Sequence, residues 1–368
     1  RFGVRLEGGR SHRVAGTDVS WSRALPAGGP GARAGAGDRL DATRATAFET
    51  YGGGVYFKNT DAGTITGIIA HDAQNAIVLA DARRTYVADN DVARNAGWAI
   101  ALWRATHNIV VRNQAQSITR CGGGRDCGAA AILLRDGSDS NTIVENDLAG
   151  SDRGVLVQGG RPFVRPSIGN LVHRNDATAA GVEAFADVGG WGNAYLENRA
   201  DSAAIGFRLD GSSAAVVRGN VAIGTRTAAI VAEHGNENAI EANVLIGGAI
   251  GIRAGAPRSG GNPSRGIRID DNVLAKLKRG VVLERTTLAR VRGNLFDGVG
   301  TGLVADSAAR GAEISGNVFL RAGQWYIDAP ELNAGGNYWG AADAMATATK
   351  VKGQVSLQPW RAATAAGY

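Results

Sequence analysis

The sequence predicts an all-β chain wound as a right-handed parallel β-helix of about twelve coils, and three observations predict it. An Asn returns at near-constant spacing, short alternating runs fill each interval, and no interval leaves room for a crossover helix. The series is Asn90, Asn113, Asn146, Asn175, Asn198, Asn220, Asn243, Asn272, Asn294, Asn317 and Asn337. Successive differences are 23, 33, 29, 23, 22, 23, 29, 22, 23 and 20, a base period of 22 to 23 with three longer gaps.

Each element follows from that frame. One run precedes most of the asparagines, as in Ile109-Val-Val-Arg-Asn and Ile143-Val-Glu-Asn. A second follows nine or ten residues later, as in Ala99-Ile-Ala-Leu, Gly154-Val-Leu-Val and Gly280-Val-Val-Leu. Alternation with period two marks strands with one buried face. A coil this short closes when each strand pairs with its equivalent one turn along, with right-handed connections. Asn at the bend tolerates the tight backbone and stacks into a hydrogen-bonded ladder. A leucine-rich repeat has a similar period, but its leucine consensus is missing. The repeats imply a β-helix domain over residues 1–340, and Ala341–Tyr368 reads as a C-terminal cap or tail over the last edge.

Composition narrows the function classes. The 368 residues carry 54 Gly, 8 Pro and 44% apolar residues, enough for a continuous core. The net charge of +6 suits an acidic partner. The cations are scattered, which disfavours nucleic acid. No run of 18 apolar residues spans a membrane. The chain opens inside a strand-like run, Phe2–Leu6, as a trimmed mature chain would. Cys121 and Cys127 enclose a Gly-rich loop that can close as a disulfide, which implies a secreted or periplasmic protein.

On repeats such as Val110-Val-Arg-Asn, Val217-Arg-Gly-Asn and the closing Gly336-Asn-Tyr-Trp-Gly, the chain resembles the right-handed β-helix proteins that bind or process carbohydrate. That broad family includes pectate lyases, polygalacturonases, alginate epimerases and a periplasmic copper-pathway protein. The resemblance implies a polysaccharide or oligosaccharide partner without choosing a reaction. The Asp-Pro-His-Asp motif of alginate epimerases is absent, and Asn59-Thr-Asp and Glu233-His-Gly only echo pieces of the polygalacturonase set.

The longer gaps hold surplus loops, Ser117–Gly128, Gly159–Ser167 and Gly255–Arg265, all beside the second strand of their coil. Insertions on one face build binding sites. Ala24–Asp41, rich in Gly, Ala and Pro, reads as an early excursion. Aligning the second strand gives an outward column of Trp103, Arg135, Gln158, Asp187, Asp210 and Glu233, with Arg208 and Arg253 outward beside it. Glu183 interrupts a Gly/Ala column. Strands about 4.8 Å apart would stack three acids on consecutive coils. Asp187, Asp210 and Glu233 are therefore the expected catalytic acids of a glycoside hydrolase. Trp103, Arg135, Gln158, Glu183, Arg208, His234 and Arg253 are the expected substrate-binding residues. In an alternative lyase or C5-epimerase, His234, Lys58 or Tyr195 removes the C5 proton of a uronate and Arg208 or Arg253 neutralises its carboxylate. A non-catalytic carbohydrate-binding solenoid is the third reading. Trp191 and Tyr195 are placed to wall the site. No cofactor is expected, save Ca2+ if the acid column binds a metal, and the chain is expected to be a monomer.

Overall fold

The alternating runs become two kinds of parallel strand. A computed structural model describes residues 2–20, 53–120, 128–159, 164–255, 262–309, 311–340 and 347–360. Cys121, Cys127 and the stretch Ala24–Asp41 lie outside them. The chain divides into two compact units, Arg1–Arg208 and Leu209–Tyr368. Among the described residues helix is nearly absent, with one 3-10 turn at Ser307–Ala309, and no helix is long and apolar enough to cross a membrane.

In the first unit, three-residue strands precede the asparagines, from Arg13–Ala15 through Ile109–Val111 to Ala194–Leu196, each paired in parallel with its equivalent one coil along. Six-residue strands, from Phe2–Glu7 through Trp98–Trp103 to Glu183–Val188, pair the same way. Their registers define two core columns. Ile77, Ile100, Ile132, Val155 and Phe185 form one, and Leu79, Leu102, Leu134, Val157 and Asp187 the other.

The asparagines do what their spacing predicts. Asn113 Nδ2 donates to Asn146 Oδ1 at 2.9 Å, while its own Oδ1 accepts from the Asn90 backbone and side chain at 3.2 and 2.8 Å. The link repeats to Asn175 and Asn198. A second buried ladder, Asn108–Asn141–Asn170–Asn193, lines another bend. Residues just before the first ladder, such as Arg112 (φ 51) and Glu145 (φ 55), are left-handed. That conformation strains a non-glycine residue, and the carboxamide bonded to the neighbouring coils holds the bend in place.

In the second unit the ladder runs Asn220, Asn243, Asn272, Asn294, Asn317 and Asn337. Phe296, Phe319 and Trp339 stack in the core with ring centroids 4.5 and 4.8 Å apart. Within the expected cap, Val351–Ser356 pairs in parallel with Trp325–Asn333, adding a further rung.

Candidate functional site

The register assigns each expected site residue to a face. In the first unit Trp103, Arg135 and Gln158 share one outward column, as their alignment predicts. The Arg135 guanidinium lies 5.5 Å from the centroid of the Trp103 ring and donates to Gln158 Oε1. Trp103 and Arg135 are only 4% and 5% exposed. Trp103 packs in an apolar cluster with Tyr56, Val78, Ala101, Leu133 and Leu156, so the expected open stacking platform is a packed side chain.

Asp187 departs from its expected face by one residue. The partner of Gln158 is Val188, and Asp187 pairs with Val157 in the core column. A slip of one residue moves every side chain of a strand to the opposite face. Phe185 therefore points inward, stacked on Phe207 at 4.9 Å, instead of outward. Asp187 is fully buried and accepts from Gly190 N at 3.1 Å and Asn193 Nδ2 at 3.0 Å. A Cβ at Gly190 would meet Asp187 Oδ1 at 2.2 Å, so only glycine fits there. Burial pushes the Tyr195 phenol well above its ordinary value, and the charge of Asp187, with their hydrogen bond, adds to the shift. Asp187 and Tyr195 are thus a buried pair, and Asp187 lies on the inner face and not on the outward one expected of it. Trp191, by contrast, is exposed.

The same slip moves Glu183. Its partner is Arg153, and the two form a buried ion pair. Arg208 Nη1 lies 3.8 Å from Glu183 Oε1. The sequence alignment missed Arg153, although an Arg before Gly154-Val-Leu-Val is the signal that would have found it.

In the second unit four predicted residues come together. Glu233 ends the strand Ala228–Glu233, and His234 follows in a left-handed turn (φ 58). His234 Nδ1 is 2.9 Å from Asp210 Oδ1. Arg253, paired in register with Val231, reaches across to Glu233 Oε1 at 2.6 Å. Ligating atoms of Asp210, Glu233 and His234 all lie within 4.8 Å of one another. Exposure separates their roles. The side chains of Asp210, His234 and Arg253 are 30%, 28% and 27% exposed, whereas Glu233 is 4% exposed. Each partly open basic group is therefore held by an acid.

This architecture, parallel strands stacked rung on rung around Asn ladders, defines a right-handed parallel β-helix protein, and residues 2–177 match the right-handed β-helix region model. Residues 164–349, just over half of the chain, match the model of the periplasmic copper-binding protein NosD, and the chain belongs to that family. No curated protein matches the sequence. Among solved structures, the surface adhesin PfbA of Streptococcus pneumoniae is 11% identical over 76% of this chain and 78% of its own, with a TM-score of 0.52. The Dettilon tailspike protein is 12% identical over 80% of this chain, which spans 62% of the tailspike, with a TM-score of 0.50. A periplasmic alginate epimerase is 14% identical over 86% of this chain and 71% of its own, at 0.48. At such identities the likeness speaks of fold alone.

Proposed function

We propose that the protein is a periplasmic carbohydrate-active β-helix that takes an acidic, uronate-bearing polysaccharide at the His234–Arg253 site of its second unit. The observation that carries this reading is the pairing of each partly open base with a carboxylate, Asp210 on His234 and Glu233 on Arg253. With Nδ1–H donated to Asp210, the His234 imidazole keeps its Nε2 lone pair for a proton. Asp210 then stabilises the imidazolium that forms. Glu233, buried, acts through Arg253 by fixing the guanidinium, whose remaining N–H groups suit a carboxylate.

Proton removal from C5 places negative charge on the uronate carboxyl, where Arg253 would neutralise it. The electron pair either expels the C4 oxygen, leaving a C4–C5 double bond, or takes a proton back on the opposite face as an epimerase does. A hydrolase reading has one observation in its favour. Carboxylate oxygens of Asp210 and Glu233 within 4.8 Å are close to the spacing of a retaining pair. The burial of Asp187 and Glu233 weighs against it, because only Asp210 of the three expected acids is open to a glycosidic oxygen.

The test is incubation with alginate and polygalacturonate, followed at 235 nm and by proton NMR. A rise in absorbance or a change in uronate composition is expected. His234→Gln should lower either rate by about 10²–10⁴-fold with the fold intact. Reducing ends without a new chromophore would give the site to hydrolysis. Binding with no product would make the protein a carbohydrate-binding solenoid.

Copper, which the family description names, favours several imidazoles or sulfur donors. Asp210, Glu233 and His234 offer one imidazole and two carboxylates, and Arg253 already neutralises Glu233. This set does not fit copper. It is closer to the hard oxygen donors of Ca2+, although Arg253 opposes any cation there.

A further inference from the structure

Positions immediately after the ladder asparagines change character along the chain. In the first unit they are Asp91, Gln114, Asp147, Asp176 and Arg199; after Asn220 to Asn317 in the second they are Val221, Val244, Val273, Leu295 and Val318. The latter five form one continuous register column across adjacent strands. Two residues on, Ile223, Ile246, Ala275 and Leu320 form a second column, broken only by Asp297. Residues between the columns, such as Leu245 and Phe319, are buried, while both columns are partly or largely exposed, Ile223 at 41%. The outer face of a solvated sheet is ordinarily polar. Here it is aliphatic across five strands.

The middle strand of this face, Val273–Leu283, carries three cations beyond its second column. Lys276, Lys278 and Arg279 are exposed, and the charge of Lys276 helps to hold Asp297 below its ordinary value. The acid within the face, Asp297, already holds Arg321 at 2.7 Å.

We propose that this face seats an amphipathic helix of a partner protein, aliphatic side down, with acidic side chains at mid-length opposite the cations of the middle strand, Lys276, Lys278 and Arg279. Four strand spacings make the face about 19 Å long and two side chains wide. That is a few hundred Å2 at most, short of the roughly 800 Å2 per partner that a stable pair of copies needs. A helix rising 1.5 Å per residue covers the same length with about 13 residues, and helix-in-groove recognition reads such an apolar stripe. Charge complementarity with the cations of the middle strand sets the sign of the facing helix residues and their register along the face.

The probe is a fluorescent 18-residue synthetic helix with leucines on one face and glutamates at mid-length, titrated by anisotropy against the whole chain. Saturable binding is expected, weakened at least tenfold by Ile223→Ser/Ile246→Ser and, separately, by Lys276→Glu/Lys278→Glu, with circular dichroism and Tm unchanged. The same helix with lysines in place of glutamates should bind at least tenfold more weakly. No saturable binding, or binding indifferent to the variants, overturns the proposal. So does concentration-dependent self-association abolished by Ile223→Ser/Ile246→Ser, which would assign the face to a second copy. Retention on phosphatidylglycerol vesicles, lost in the same variant, would assign it to lipid and equally overturn the proposal.

Discussion

Replacing Asp187 with Asn separates a catalytic acid from a structural one. The carboxylate accepts from Gly190 N at 3.1 Å and from Asn193 Nδ2 at 3.0 Å, and its charge is felt by the buried Tyr195 phenol. An amide in the same place keeps one oxygen for Gly190 and turns its NH2 toward Asn193 Nδ2 and the Tyr195 hydroxyl. The Tyr195 hydroxyl can rotate and accept, but Asn193 Nδ2 loses this partner and keeps only Ser167 O at 3.1 Å. One lost hydrogen bond to a charged acceptor costs about 1.5–3 kcal/mol, so Asp187→Asn should destabilise the first unit by about 2 kcal/mol. Asp187→Ala strands both donors and should cost about 4 kcal/mol. For a unit of this size, 2 kcal/mol is a fall in Tm of about 4–8 °C. The assay pairs thermal unfolding by circular dichroism with turnover on the polymer that the wild type accepts, measured well below the lowered Tm. Activity per folded molecule should stay within about twofold. A loss of orders of magnitude in turnover with Tm unchanged would return Asp187 to the catalytic centre and refute the register argument.

Two further outcomes follow from the ladder and from surface charge. Asn272→Ala deletes bonds to Asn294 Oδ1, Ile240 O and Asp270 O and those accepted from Asn243 N and Nδ2, all between 2.9 and 3.0 Å, so denaturant unfolding should show a loss of about 3–5 kcal/mol; a loss under 1 kcal/mol would mean that the ladder follows the fold without holding it. Asp297 titrates below its ordinary value, chiefly because Arg321 donates to it, so its stabilising share is full above about pH 4 and lost as pH falls through the lowered folded-state value. Arg321→Ala should flatten the acid limb of the midpoint-versus-pH curve between about pH 2 and 4, and superimposable curves would count against the pair.

The fold was legible because a solenoid writes its geometry into a period. Asn113 and Asn146 stand 33 residues apart, yet their side chains bond at 2.9 Å, since the surplus leaves the coil as a loop without disturbing the bend. The division at Arg208 and Leu209 was not legible, because the period crosses it unchanged between Asn198 and Asn220. What changes near it is the residue after the ladder Asn, from Arg199 to Val221, a signal carried by outward positions to which a core-seeking alignment pays no heed.

The site was half legible for a related reason. Strand alternation fixes faces only relative to an anchor, and Ala184-Phe-Ala-Asp gives two anchors of unequal worth. Small residues at 184 and 186 match the small residue at Gly154 and the apolar run at Leu156, so either parity satisfies a pattern of inward apolar residues. Volume breaks the tie. Phe185 must fill the same core column as Val155, beside Phe207, because an aromatic ring left outward would forgo the burial that drives the coil to close. With Phe185 inward, Asp187 is inward too, and a buried carboxylate then needs its own donors, which Gly190 and Asn193 supply within six residues of sequence. No such conflict arises at Ala228–Glu233, where Ile230 and Ala232 take the core positions. The outward reading of Arg253 and the proximity of His234 to the acids therefore carried over from sequence to structure. The proposed chemistry of this chain therefore rests where the core columns are unambiguous, on His234 and Arg253, with Asp210 and Glu233 bonded to them.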